Sequence, residues 1–174
     1  MKTKQDLLDS LQDMHIAITL HEHAPLFTTE DALKLAVNIP GAHCKNLFLI
    51  DDKNRAWLVS TNVTAHAEKR VNLKQLASII QAKKLRFAKP EKLYHYLGVT
   101  PGSVTPLGII NDTAHAVTMI LDAHFLQHAQ ISMHPLENSA TVTLLMPDFM
   151  RYIAAYEHHG FFIDFETMNV QEKF

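Results

Sequence analysis

Two uninterrupted apolar runs, Leu47–Ile50 and Ala56–Val59, stand on either side of Asp51-Asp52-Lys53-Asn54. Short apolar runs separated by turn-forming residues read as a hairpin of buried strands, which commits the chain to a sheet. Around that hairpin the periodicity changes repeatedly. Leu7, Leu8, Leu11 and Met14 predict a helix over 4–13, and Ile16 to Leu20 alternates like a strand. Thr28 with Asp31 resembles a capping box opening a helix through Leu35 and Ala36, which Pro40-Gly41 must end. Leu73, Leu76, Ala77 and Ile80 predict another helix, followed by a short strand at Leu85-Arg86-Phe87 and a helix over 90–97 stopped by Gly98.

The segment 98–106 holds two of the five glycines and two of the seven prolines, and is expected to be a loop feeding a buried strand, Leu107–Ile110. Strands are further predicted at 116–121, 129–133, 141–145 and 161–165, with a helix between Pro147 and Gly160. Helices and strands mix without regular alternation. The expected class is therefore α+β, a single domain over 1–174 with a central mixed, largely antiparallel β-sheet flanked by helices.

With 174 residues, 47% of them hydrophobic, the chain can bury one sizeable core. Its single cysteine, Cys44, excludes an intrachain disulfide and a four-cysteine zinc site, and a cytoplasmic setting fits. No stretch reaches the length of an apolar membrane span, and no membrane association is expected. The net charge of −2 hides an asymmetry. Between Lys69 and Lys92 eight cations face one acid, Glu91, a net of +7 that includes Lys69, Arg70, Lys74, Lys83 and Lys84. Such a segment is either a solvated helix face or a surface that meets phosphate.

Twelve histidines raise the question of metal, but His21-x-His23, His124-x-x-x-His128 and His158-His159 lack the companions of a known metal motif, so neither metal nor cofactor is expected. No nucleophile elbow, phosphate-binding glycine loop or dinucleotide fingerprint is present. Lys45, at the mouth of the Leu47–Ile50 strand, either snorkels at a sheet end or holds an anion. Gly102 would let backbone N–H groups approach a substrate oxygen, and His134 and Asn138 can donate hydrogen bonds from a turn; the same residues also suit tight connections.

Three blocks, 40–49 (Pro-Gly-Ala-His-Cys-Lys-Asn-Leu-Phe-Leu), 97–106 (Leu-Gly-Val-Thr-Pro-Gly-Ser-Val-Thr-Pro) and 134–141 (His-Pro-Leu-Glu-Asn-Ser-Ala-Thr), taken in this order, resemble the stand-alone prolyl-tRNA editing proteins of the ProXp-ala type. These belong to the YbaK-like or bacterial prolyl-tRNA synthetase insertion-domain superfamily. The resemblance implies hydrolysis of the ester of a wrongly attached amino acid, usually alanine, on tRNA(Pro), by water attack assisted by a ribose hydroxyl. It places Lys45 at the family's signature lysine and Gly102 in the loop that meets the reacting end. Asn46, Ser103, Thr105, His134 and Asn138 become pocket positions, and the basic segment becomes a tRNA-facing surface. The chain departs from the family pattern at Ala42, Cys44 and Met133, which bears on pocket size. Expected partners are the tRNA(Pro) acceptor end and prolyl-tRNA synthetase, with the protein itself a monomer. Competing readings are a non-catalytic tRNA- or synthetase-binding module of the same fold, a deacylase for cysteine or serine, and a histidine-based metal hydrolase.

Overall fold

In the computed structural model of the chain the described residues are 1–25, 29–66 and 70–174, apart from the side chains at 29, 31 and 32. The anticipated Thr28–Asp31 cap and Lys69 lie outside the described residues. Helix α1 (Lys4–Asp13) starts at a capping box in which Thr3 N–H donates to Asp6 at 2.7 Å and Asp6 N–H donates to the Thr3 hydroxyl at 3.3 Å. Its Leu7 and Leu11 are fully buried. Strand β1 (Ile18–Glu22), α2 (Thr29–Ala36) and the hairpin β2 (Ala42–Ile50) and β3 (Ala56–Asn62) follow. Asp51 closes the hairpin by accepting from Lys53 N–H and Arg55 N–H at 2.9 Å and from Arg55 Nε at 2.6 Å. Then come α3 (Leu73–Ile79), β4 (Arg86–Phe87), α4 (Pro90–Leu97), β5 (Val117–Asp122), β6 (Gln130–Met133), β7 (Ala140–Leu145), α5 (Met146–Ala155), β8 (Gly160–Asp164) and β9 (Asn169–Lys173).

The strands form one sheet in the order β1-β7-β6-β2-β3-β5-β8-β9, with β4 added to β2. Five of its pairings among the described residues are antiparallel. The other three, β2 with β6, β3 with β5 and β5 with β8, are parallel. The mixed, largely antiparallel sheet is thus as expected. One face carries the main core, where Phe48, Leu58, Met119, Leu121, Ile131 and Val142 meet Leu7 and Leu11 of α1, Leu93 and Leu97 of α4 and Phe149 and Tyr152 of α5. On the other face Leu49, Trp57, Val59, Ile120 and Ile163 pack against Leu76 and Ile80 of the α3 region.

Two local expectations are corrected and one unread element is added. Leu107–Ile110 is not a strand but part of a 3-10 helix, Pro106–Asn111. Thr105 caps it by accepting Leu107 N–H at 3.3 Å, and Pro106 at its first position has φ suited to a helix and no N–H to satisfy. A four-residue apolar run carries no period that separates strand from helix, which is why this one misleads. The strand expected from Ile16 begins only at Ile18, because the chain first turns through His15 at φ +53°. A ninth strand, β9, has every residue exposed and no apolar alternation to announce it.

Candidate active site

Strands β2 and β6 run parallel and are paired only at Ala42 with Ile131 and His43 with Ser132. Beyond those positions they part, and β2 regains a neighbour on that edge only where Leu49 and Ile50 meet β4. The open edge between carries Lys45 and Asn46. The loop 98–105 fills the gap, for Asn46 Nδ2 donates to Val104 O at 2.8 Å. Gly102, at φ +91°, faces the turn after β6, where an added Cβ would stand 3.5 Å from Asn138 Nδ2. The three sequence blocks therefore converge at one crevice, outside the carboxyl end of β6, past which β2 continues from its start without that neighbour.

At the fork lies a small cavity of about 20 Å³ lined by Leu35 of α2, Cys44 of β2, Met133 at the end of β6 and a polar wall of His43, Ser132, His134 and Thr141. His43 Nε2 donates to Ile39 O at 2.8 Å and His134 Nδ1 donates to Ala140 O at 3.0 Å. Carbonyl oxygens only accept, so each neutral ring keeps its other nitrogen as an acceptor. Burial holds both imidazoles below the usual histidine pKa. Ser132 Oγ donates to Pro40 O at 2.6 Å and is bridged to Thr143 Oγ1 at 2.6 Å. Burial pushes the Cys44 thiol pKa above the ordinary range, so it is not a thiolate nucleophile.

Lys45 is half-buried beside this fork and lines a larger cavity of about 320 Å³ together with Leu47, Thr61, Arg70, Leu73 and Phe87. Asn46 Oδ1 is buried with no hydrogen-bond partner among the described residues. Ser103 is buried, and its N–H donates to Thr100 O at 3.0 Å, which shapes the loop. Thr105 is fully buried and its hydroxyl oxygen is engaged by the cap described above. The His134–Asn138 turn is braced from α1, where Lys4 Nζ lies 2.9 Å from Glu137, and Ser139 Oγ donates to the same carboxylate at 2.9 Å. These bonds hold the Glu137 carboxyl below its usual range and raise the Lys4 ammonium.

The basic segment divides. Arg70 lies on the wall of the Lys45 cavity, and Lys74 is exposed on the first turn of α3. Lys83 and Lys84, both exposed, sit at the other end of α3 against the hairpin, where Asp52 N–H donates to Lys83 O at 2.9 Å. Asp52 is seven residues along β2 from Lys45, about 23 Å of extended chain. One group of His, Asp and Glu side chains among the described residues is close enough to hold a metal. His66 Nε2 lies 2.9 Å and His124 Nδ1 3.0 Å from the buried Asp122 carboxylate. That carboxylate also accepts Asn62 N–H at 2.9 Å and His124 N–H at 3.0 Å, so its oxygens already serve as structural acceptors. The local histidine pairs weighed from sequence do not supply this group; only His124 takes part.

Sequence reasoning missed His43, Ser132, Thr141 and Thr143. A signal existed in β7 and β1, where Thr141, Thr143, Thr19 and His21 take the positions that should carry charge or apolar bulk on a period of two.

The fold and the crevice define an aminoacyl-tRNA editing domain. The model of that family matches residues 23–152, and the chain belongs to it. The prolyl-tRNA editing protein ProX of Acetoanaerobium sticklandii is 34% identical over 155 residues, covering 89% of this chain and 93% of its own. The prolyl-tRNA synthetase associated domain-containing protein 1 of Xenopus laevis is 33% identical over 168 residues, covering 94% and 97%. A crystal structure of a candidate trans-editing enzyme for prolyl-tRNA synthetase shares the fold at a TM-score of 0.66, with 18% identity and 99% of both chains covered.

Proposed function

We propose that this protein is a trans-editing deacylase that hydrolyses alanine wrongly esterified to tRNA(Pro). It would act as a monomer in the cytoplasm, beside prolyl-tRNA synthetase. The observation that carries the reading is the small two-sided cavity at the fork of β2 and β6, next to Lys45. Leu35, Cys44 and Met133 suit a methyl group, and the spare nitrogens of His43 and His134 suit the N–H bonds of a primary ammonium. The recess would admit the alanyl methyl group and shut out the proline ring by size. Such exclusion supplies what an apolar synthetase pocket cannot, since one methylene is worth only about 1–3 kcal/mol there. The names of the ProX relative and of the associated-domain proteins support prolyl-tRNA as the substrate carrier.

In the reaction, water adds to the ester carbonyl carbon and gives up a proton through the neighbouring ribose hydroxyl. The carbon–oxygen bond to the ribose then breaks, its electron pair stays on the ribose oxygen with a proton, and free alanine and tRNA result. Lys45 sets its ammonium against the terminal phosphate or ester oxygen, and the Gly102 loop offers backbone N–H groups to the developing oxyanion.

Single-turnover deacylation of Ala-, Cys-, Ser- and Pro-charged tRNA(Pro) with chelator present tests this. Wild type is expected to clear the alanyl ester alone, and Lys45→Ala to lose about 10²–10³-fold in rate, the scale for removing one stabilising donor. Preference for the cysteinyl or seryl ester would replace alanine as the substrate. Salt-sensitive tRNA binding with no turnover by folded wild type would overturn the enzyme in favour of a binding module.

A further inference from the structure

Resting on the deacylase reading, we infer that the cavity beyond Arg70 seats the nucleobase of the nucleotide preceding the terminal adenosine. Three cavities lie in a row across one sheet face. The first is the amino-acid recess at the fork of β2 and β6, and the second is the 320 Å³ cavity at Lys45. The third, about 250 Å³, lies past Thr61 at the carboxyl end of β3 and is lined by His66, Arg70, Asn72, Gln75, Phe165 and Met168. The second and third share Thr61, Arg70 and Val71, so Arg70 stands at the partition between them. Their offset is one to two strand spacings, about 5–10 Å, the scale of one nucleotide.

The chemistry of the third cavity fits a base and the partition fits a phosphate. Phe165, Val71 and Met168 supply flat apolar contact for a ring face. His66, whose Nε2 lies 2.9 Å from the Asp122 carboxylate, meets Phe165 nearly edge-on with centroids 6.2 Å apart and extends the aromatic wall. At the rim, Asn72 Oδ1 is taken up by Lys74 N–H and Gln75 N–H at 3.1 Å, which leaves its Nδ2 as a donor beside the Gln75 amide. Arg70 supplies a cation where the intervening phosphodiester would lie. A cationic track flanked by aromatic side chains is how single-stranded nucleic acid is held without sequence readout.

The test uses single-turnover deacylation of Ala-tRNA(Pro), intact or with an abasic residue immediately before the terminal adenosine. The abasic substrate cannot unfold the protein, so the result does not depend on a variant's stability. Half-saturation by wild type is expected to rise about 5- to 100-fold with the abasic substrate, at an unchanged limiting rate. Phe165→Ala should show the same loss on the intact substrate and little further loss on the abasic one. Equal handling of both substrates by wild type, or a Phe165→Ala loss that persists undiminished on the abasic substrate, would overturn the inference. Failure to cleave either ester would instead overturn the deacylase reading.

Discussion

The sheet face that carries Lys45 has two halves built from the same geometry and opposite chemistry. Across β3, β5 and β8, Trp57, Val59, Ile120 and Ile163 point at Leu76 and Ile80 and form a dry core. Across β1, β7, β6 and the start of β2, the cross-strand neighbours Thr19 and Thr143, His21 and Thr141, and His43 and Ser132 take the same face. Of these, His43, Ser132, Thr141 and Thr143 are as buried as core residues, at 1–6% exposure. Burying polar groups destabilises unless each finds a partner, and here His43 bonds Ile39 O and Ser132 bonds Pro40 O and Thr143; on the proposed function the spare acceptors of this half meet the substrate. The apolar half supplies the rigidity against which that binding half is positioned.

The comparison can be broken most forcibly from the apolar side. Leu76→Ala should lower stability by about 2–5 kcal/mol in denaturant titration. Its deacylation rate should stay near wild type wherever the chain is folded; a large rate loss in the folded variant would show that the halves are not separable. On the polar side, the buried imidazoles of His43 and His134 carry folded pKa values below the usual one. The unfolded chain therefore binds more protons in the window below the ordinary histidine value, and stability should fall as pH falls through it. Deacylation should decline at still lower pH, as the shifted folded values are crossed and the two acceptors gain protons. His134→Gln, which cannot titrate, should flatten part of that limb.

Gly102→Ala should be milder. At φ +91° a side chain is strained by about 1–2 kcal/mol, and the loop that meets Asn46 through Val104 should shift, visible as a lower rate with a small drop in melting temperature. The smallest effect sharpens the contrast best. Thr143→Val leaves Ser132 Oγ bonded to Pro40 O and should change stability by less than about 1 kcal/mol, whereas Ser132→Ala strips that carbonyl and the Thr143 hydroxyl of their partner and should be worse, with the double variant no worse than Ser132→Ala. A double variant far less stable than either single one would show that the polar half is structural after all. Carboxylates set a separate acid limit. Burial opposes ionisation of Asp51 and Asp112, but hydrogen bonds from Arg55 and Lys53 and from His158 and Val117 outweigh it and depress both. Their stabilisation is complete above the ordinary carboxylate value and is lost as pH falls through the folded ones.

Local features were legible wherever a terminator or a period stood in the chain. Pro90 and Gly98, the latter at φ +66°, bound α4 as read, and the apolar spacing of Leu7 and Leu11 marks α1, whereas its Thr3–Asp6 capping box went unread. Lys45 and Asn46 were legible as residues at a strand mouth. Resemblance pointed to Gly102 and His134, but only the fold shows Asn46 bonded to Val104, 58 residues on, and Gly102 against Asn138. The basic segment looked like one surface, yet α3 carries its ends to opposite ends of the hairpin.

The sequence by itself determined the helices, the buried hairpin and the lysine that stands at its entrance, because capping, turn chemistry and period are encoded within a few residues. Only the tertiary structure decided that β2 and β6 part after two paired positions, and so which histidines and hydroxyls line the fork. That outcome depends on pairing between segments some 90 residues apart, and strand pairing of this range leaves no local mark in the chain.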